Sequence, residues 1–307
     1  MARRRSPAAP ARSIYLFPLP ALIVFAVFFA GPTLQAFQYA VTDWDGFSVD
    51  FRNVGLANFT RAVSGDTLFA NAALNNAKFL LVVVVVQTVV SLLLALALLR
   101  NSRGSVALRA LFFFPTILSS VSVAFIWKFI YDPTFGIGNG VLRAGAGLLN
   151  AVGFDVDPLQ LSYLGDDATA IYWVAIAQCW AHTGQMMVVY VAGLQAIPRE
   201  TYEAAEVDGA SPGQKFRFIT WPLVAPATAI VVAYTTIQSF KAFDLILGLS
   251  GIPPKGSLDI LSTRIYTTFA NSQYGYAAAE SIVFMALIAV VTVVQRRALR
   301  TIPQAEG

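Results

Sequence analysis

Residues 79–99 read FLLVVVVVQTVVSLLLALALL, and this stretch decides the class of fold. It carries no charge and is long enough for one α-helix to cross the hydrocarbon core of a membrane, which takes about 20 residues. The whole chain has the same character, because 57% of its 307 residues are hydrophobic and only 12% are charged. Ordinary globular domains carry about 25% charged residues. The sequence therefore predicts an all-α membrane protein rather than a soluble enzyme.

Six apolar runs of this kind occur along the chain, each bounded by charges, Pro or Gly. They predict six transmembrane helices at residues 14–35, 79–99, 107–130, 170–194, 218–240 and 276–295. The membrane domain then covers 14–295, between an N-terminal tail at 1–13 and a C-terminal tail at 296–307. Pro222 and Pro226 interrupt the fifth run. A proline lacks the backbone N–H of a helical hydrogen bond, so we expect this helix to be kinked and packed against neighbours.

The first run follows four arginines, as the apolar part of a cleaved signal peptide also does. That part is only about 7–15 residues long in signal peptides. The run at 14–35 is longer and contains Pro18, Pro20 and Pro32. We therefore interpret it as a membrane anchor.

Lys and Arg are concentrated in alternate segments between the runs. With the N-terminus inside, most of the 21 basic residues lie on the inner side, which predicts that both termini are cytoplasmic. The net charge of +4 and the pI near 9.2 follow from this distribution. The basic residues form no stripe between aromatic residues, so we expect membrane lipid and no nucleic acid as a partner.

Several chemical sites are absent from the sequence. One Cys and one His rule out an intramolecular disulfide framework and any cluster of Cys or His around a metal ion. No stretch has the GxxxxGK[ST] pattern of a phosphate-binding loop. We predict no catalytic residue, no metal and no cofactor in this chain.

The most polar stretch between the apolar runs is AIPRETYEAAEVDGASPGQKFRFITW at residues 196–221. Pro198 suits the first turn of a helix, and the two alanines at 204 and 205 continue it with high helix propensity. Gly209 can take the positive φ of a helix end, and Ser211 with Pro212 can start a second helix. The sequence predicts a helix, a turn and a second helix on the inner membrane face, over residues 196–217.

The spacing of these residues resembles that of a known family. Glu203, Ala204 and Ala205 are followed by Gly209, Ile219 and Pro222 at the intervals of the Glu-Ala-Ala loop in permease subunits of binding-protein-dependent ABC importers. Asp208 fits the longer form found in carbohydrate importers. Residues 114–140 and 192–198 resemble the same permeases, so the resemblance covers nearly the whole chain. Two departures are Trp221, where Leu is usual, and SGIPP at 250–254, where many relatives have a Gly-Gly-Pro turn.

The resemblance implies a set of partners and a location. The chain would pair with a second permease subunit as a heterodimer, with two copies of an ATP-binding subunit that hold ATP and Mg, and with an extracytoplasmic solute-binding protein. It would lie in the bacterial plasma (inner) membrane. The residues implied in ATPase coupling are Glu203, Ala204, Ala205, Asp208 and Gly209, with Glu203 as the charge partner of a basic residue. The implied solute is a di- or oligosaccharide, with glycerol 3-phosphate as the alternative.

Polar residues within the apolar runs are candidates for the solute pathway. Thr235, Gln238 and Ser239 share one face of the fifth helix, and His182 and Gln185 share a face of the fourth. Neutral amides and hydroxyls suit a sugar, whose hydroxyls both donate and accept. The structural alternative is that these side chains join helices by hydrogen bonds, as polar residues in membranes often do.

Glu280 is a carboxylate inside the sixth apolar run, which makes it a candidate functional residue by its location. We predict that it lines the pathway or pairs with the second permease subunit; Lys128, Lys241 and Arg264 are the candidate partners in this chain. A proton-coupled secondary transporter that uses Glu280 is the alternative from a different class, and a membrane scaffold without transport activity is a third.

Overall fold

The computed structural model describes residues 16–300, and side chains as far as residue 298; the tail at 1–13 and most of the tail at 296–307 lie outside these limits. The described residues are helical and form no β-strand, apart from an isolated bridge between Thr42 and Asn53. The helices are α1 (Leu19–Tyr39), α2 (Ala57–Thr60), α3 (Thr67–Ala97), α4 (Arg103–Ile117), α5 (Ser120–Ile130), α6 (Ile137–Ala151), α7 (Ala170–Gln195), α8 (Arg199–Val207), α9 (Pro212–Leu223), α10 (Ala225–Phe240), α11 (Phe243–Ser250), α12 (Leu261–Ala270) and α13 (Tyr274–Arg300).

Three of these helices are long and apolar enough to cross a membrane: α1, α3 and α13. The number rises to five if each of two bent pairs, α4 with α5 and α9 with α10, forms one span. Helix α7 has 26 residues but is more polar and is largely buried within the protein. The all-helical membrane class is therefore confirmed.

Helices α3 and α7 form the most extensive helix pair and run parallel to each other. Phe79 and Val83, in the first half of α3, pack with residues 170–181 of α7. Leu92 and Leu98, near the end of α3, pack with residues 186–194. We call the end of the bundle where α3 begins the Asp66 end and the opposite end, beyond Leu98, the Gly209 end.

The run at 107–130, predicted as one helix, is broken, and this part of the prediction is wrong. α4 and α5 meet at an angle of 103°. Pro115 lies in a 3-10 turn at the end of α4, Leu118 is extended, and Ser119 caps α5 by accepting a hydrogen bond from the Ser122 amide. A Cβ atom at Gly184 of α7 would overlap the Phe112 carbonyl, so α4 packs closely against α7 because that position is glycine.

The kink predicted in the fifth run is confirmed, since α9 and α10 meet at 61° around Val224. α10 starts at the Gly209 end, where Val224 packs in the same cluster as Leu98. α13 starts at the Asp66 end and runs back along α10, with a ring contact between Phe240 and Phe284.

Two other predicted boundaries were wrong: α3 begins at Thr67 rather than at residue 79, and α1 extends to Tyr39.

Candidate functional site

The stretch at 196–217 has the predicted helix–turn–helix shape. Helix α8 ends at Val207, and Gly209 follows with a φ of +74°, a conformation that favours glycine. Ser211 then starts α9 through a capping box, in which its hydroxyl accepts from the Gln214 amide and its own amide donates to the Gln214 side chain. The turn is fixed by local chemistry on both sides.

Two faces of α8 have different surroundings. Glu203 and Ala204 are exposed, and Glu203 has no hydrogen bond or ion pair among the described residues. Ala205, Asp208 and Gly209 line a shallow cavity of about 280 Å³ together with residues of α9. The resemblance therefore assigns ATPase coupling to five residues that are all accessible or beside an open depression.

Two polar contacts also join α8 to α9. The hydroxyls of Tyr202 and Thr220 share a hydrogen bond of 3.0 Å, and Lys215 donates to Glu206 over 2.8 Å. The hydrogen bond from Lys215, together with its charge, holds the pKa of Glu206 below its usual range. Neither contact was predicted from the sequence.

Two of the predicted pathway residues meet at a third that the sequence analysis missed. Gln185 of α7 and Gln238 of α10 both donate from Nε2 to the Tyr234 hydroxyl oxygen, over 3.1 and 3.3 Å. All three side chains are half-buried. We call Gln185, Tyr234 and Gln238 the amide–tyrosine cluster. Its hydroxyl proton and both amide oxygens have no hydrogen-bond partner in the described part of the chain, so they can bind a polar solute.

The other predicted pathway residues lie apart from this cluster. Thr235 and Ser239 are fully buried, and Ser239 donates back to the Thr235 carbonyl within the same helix. His182 is half-buried, with its Nδ1 3.2 Å from the Gln178 carbonyl oxygen. The Thr235 hydroxyl has no hydrogen-bond partner among the described residues, and neither Thr235 nor Ser239 makes a hydrogen bond to another helix there, so their assignment to pathway or packing stays a prediction.

Glu280 lies at the Asp66 end, in a group of charges that belong to different helices. Its partner is Arg264, with 3.9 Å between Oε1 and Nε, and Arg264 also lies 3.7 Å from Asp66. Asp66 caps α3 by accepting from the Leu68 and Phe69 amides, and its second oxygen accepts from the Tyr276 hydroxyl. The side chain of Glu280 is fully buried, and its oxygens make no hydrogen bond within the described residues. We call Asp66, Arg264, Tyr276 and Glu280 the charge cluster.

Residues 87–302 match the family of binding-protein-dependent transport system inner membrane components. The chain belongs to this family. The matched region runs from the middle of α3 to the end of α13, so it includes α8, the amide–tyrosine cluster and Glu280. The resemblance found in the sequence is thereby confirmed, and the protein is a permease subunit of an ABC importer and not an enzyme.

Relatives of this permease differ in the solute they are named for. It is 32% identical to the diacetylchitobiose uptake system permease protein NgcF of Streptomyces coelicolor, over 87% of this chain and 76% of the relative. It is 30% identical to the sn-glycerol-3-phosphate transport system permease protein UgpA of Agrobacterium fabrum, over 92% of this chain and 93% of the relative. Both relatives match this chain over most of its length, which also shows the family.

The fold of the permease is also found in a solved structure. A chain in the crystal structure of a bacterial ABC transporter involved in the import of the acidic polysaccharide alginate superposes with a TM-score of 0.76 and 23% identity. The match covers 95% of this chain and 96% of that chain. The family description makes the permease a multi-pass component of the inner membrane that works with a solute-binding protein.

Proposed function

We propose that this permease forms half of the pathway for a neutral di- or oligosaccharide. The amide–tyrosine cluster supports the proposal, because it joins α7 and α10 through uncharged groups and leaves unpaired, among the described residues, both amide oxygens, the hydroxyl proton and one N–H of each amide. A sugar hydroxyl can both donate to and accept from such groups. A phosphate ester would be bound best by a pair of Arg or Lys side chains, and all three members of the cluster are neutral.

The proposed complex contains this permease, a different second permease, two copies of an ATP-binding subunit with ATP and Mg, and an external solute-binding protein. In this arrangement α8 contacts the ATPase. Glu203 supplies a free carboxylate for a basic residue, while Ala204, Ala205 and Gly209 supply the close approach of the partner and the turn, and Asp208 belongs to the same loop. The exposure of these residues and the lack of a partner for Glu203 in the described residues support this assignment.

We further propose six membrane passes, with both termini and the Gly209 end in the cytoplasm. The parallel packing of α3 and α7 supports this topology, because the chain must cross back between their ends. The bent pair α4–α5 supplies that return pass. The passes are then α1, α3, the α4–α5 pair, α7, the α9–α10 pair and α13.

Reconstitution in proteoliposomes tests the solute class. The purified complex is reconstituted in vesicles, and the binding protein is supplied with each solute in turn: a panel of neutral oligosaccharides and glycerol 3-phosphate. Uptake of each solute into the vesicles is then measured with and without ATP. We expect uptake of at least one neutral sugar. Uptake of glycerol 3-phosphate alone would replace the sugar proposal, and uptake driven by a proton gradient without ATP would restore the proton-coupled mechanism through Glu280.

A charge reversal tests the role of α8. Glu203→Lys places a cation where a basic residue of the ATPase is expected, so the ATPase should dissociate from the complex while the permease stays in the membrane. The matched control is Glu200→Lys, which makes the same change of charge on the same exposed helix. Equal amounts of co-purified ATPase with both variants would contradict the assignment of Glu203.

A further inference from the structure

The two contacts between α8 and α9 differ in their access to water. Tyr202 and Glu206 are four residues apart and share one face of α8. Thr220, the partner of Tyr202, is 6% exposed, whereas the Glu206 side chain is 63% exposed in its ion pair with Lys215. A hydrogen bond shielded from water holds its geometry better than an exposed ion pair, which solvent and salt weaken. The contact between Tyr202 and Thr220 is therefore the stiffer of the two.

The ring of Tyr202 is anchored as well as its hydroxyl. It packs on the apolar cluster at the Gly209 end, which contains Leu98 of α3, Ile197 after α7 and Val224. The tyrosine thus lies between the exposed face of α8 and the ends of the long helices.

Thr220 lies one helical turn before the bend between α9 and α10. Its carbonyl accepts a hydrogen bond of 3.0 Å from the amide of Val224, the residue at which the chain turns by 61°. A movement of Thr220 therefore shifts Val224 and the first turn of α10 with it. Ten residues or so beyond the bend, α10 carries Tyr234 and Gln238 of the amide–tyrosine cluster.

We propose that Tyr202 is a positioning residue, and that its hydrogen bond to Thr220 makes α8 and α10 move as one body when the ATPase moves α8. The inference rests on the proposed role of α8 in coupling. It adds the contact that carries the movement from α8 to α10, the helix that holds two of the three members of the amide–tyrosine cluster.

Distance measurements between spin labels test whether the two helices move together. Cys179 is the single cysteine, so Cys179→Ala gives a background for labels at chosen sites. One pair joins Val207 of α8 to Ile237 of α10, and a reference pair joins Val207 to Leu22 of α1; all three sites are exposed. Each distance is measured in the whole complex without nucleotide and with ATP and vanadate.

In the native chain the reference distance should change with nucleotide, by about 1–2 Å or more, since helix shifts are usually of that size. The distance from Val207 to Ile237 should stay the same. In the variants Tyr202→Phe and Thr220→Val, the distance from Val207 to Ile237 should change with nucleotide. The double variant should behave like each single variant, because all three lack the same hydrogen bond. Thr220→Ser keeps the hydroxyl and should behave like the native chain. The control Tyr172→Phe should do so as well, because the Tyr172 hydroxyl makes no hydrogen bond in the described structure.

Failure of the inference and failure of the proposed function give different results. If the reference distance does not change with nucleotide, the ATPase does not move α8, and both are overturned. If the reference distance changes and the distance from Val207 to Ile237 changes with it in the native chain, only the inference is overturned. The same conclusion follows if Tyr202→Phe leaves that distance insensitive to nucleotide.

Discussion

The two ends of the bundle are held together by different chemistry. At the Asp66 end, the charge cluster joins α3, α12 and α13 through one guanidinium shared by two carboxylates, and the side chain of Glu280 is fully buried. At the Gly209 end, a neutral hydrogen bond and one exposed ion pair join α8 to α9. A buried charge is expensive to leave unpaired, whereas an exposed ion pair breaks at low cost. The Asp66 end therefore fixes three helices to one another, while at the Gly209 end α8 is held mainly by the shielded bond between Tyr202 and Thr220 and can move together with α10.

The largest effect is expected from Arg264→Met, which removes the cation that Asp66 and Glu280 share. Breaking one side of a buried ion pair typically costs about 3–5 kcal/mol, because the remaining charge is left uncompensated. We expect a large fall in the amount of folded permease in the membrane and in its thermal unfolding temperature.

The matched control for this variant is the double substitution Arg264→Met with Glu280→Gln. It removes one of the two stranded charges, so it should recover part of the lost stability. An unfolding temperature that is unchanged by Arg264→Met would show that the charge cluster does not hold the Asp66 end.

A smaller effect on stability, but a larger one on transport, is expected from Gln238→Ala. Gln238 bonds to Tyr234 of its own helix, and even hydrogen bonds between membrane helices contribute only about 0.6 kcal/mol on average, so the protein should still fold and assemble. Uptake should fall several-fold if the amide–tyrosine cluster contacts the solute. The control is Gln295→Ala, which removes a glutamine that donates to Thr236 from α13. Equal uptake by the two variants would assign Gln238 to packing.

The smallest effect is expected from Glu206→Gln at the exposed ion pair. Its pKa is lowered by Lys215, so the pair is complete above the ordinary glutamate pKa of 4.5 and is lost as the pH falls toward the lowered value. Near neutral pH we expect a change in unfolding temperature close to the error of measurement, and smaller still at high salt. A shift as large as that of Arg264→Met would contradict the contrast between the two ends.

The sequence predicts the helices well where a run is both apolar and uninterrupted. The start of α3 was missed because its first three turns contain Asn71, Asn75 and Asn76, which reduce the hydropathy. Two of these side chains bind another part of the chain, since Asn71 and Asn75 donate to the Gly256 carbonyl. The break after Pro115 was missed because the apolar run continues through it, and hydropathy does not report the direction of the chain.

Within the candidate site, local features were predictable and tertiary contacts were not. Gly209 and Ser211 fix the turn after α8 through their own backbone and side chain, so the sequence alone predicts its shape. Tyr234 is four residues before Gln238, and a search of helix faces for hydroxyls could have found it. The contact of Tyr234 with Gln185 depends on how α7 packs against α10, which no local pattern reveals. The same holds for the pairing of Glu280 with Arg264, one of three cations considered.

In the proposed six-pass topology, the bent pair α4–α5 sets the side of the membrane on which every later segment lies. Because α3 and α7 are parallel, this topology needs one additional crossing of the bilayer between them. We expect that a permease shortened by this pair would insert α7 in the opposite sense and would present Glu203 on the external face, away from the proposed ATPase. On that view, the accessibility of Glu203 depends on two residues of other helices: Ser119 at the bend, and Gly184, which allows α4 to approach α7.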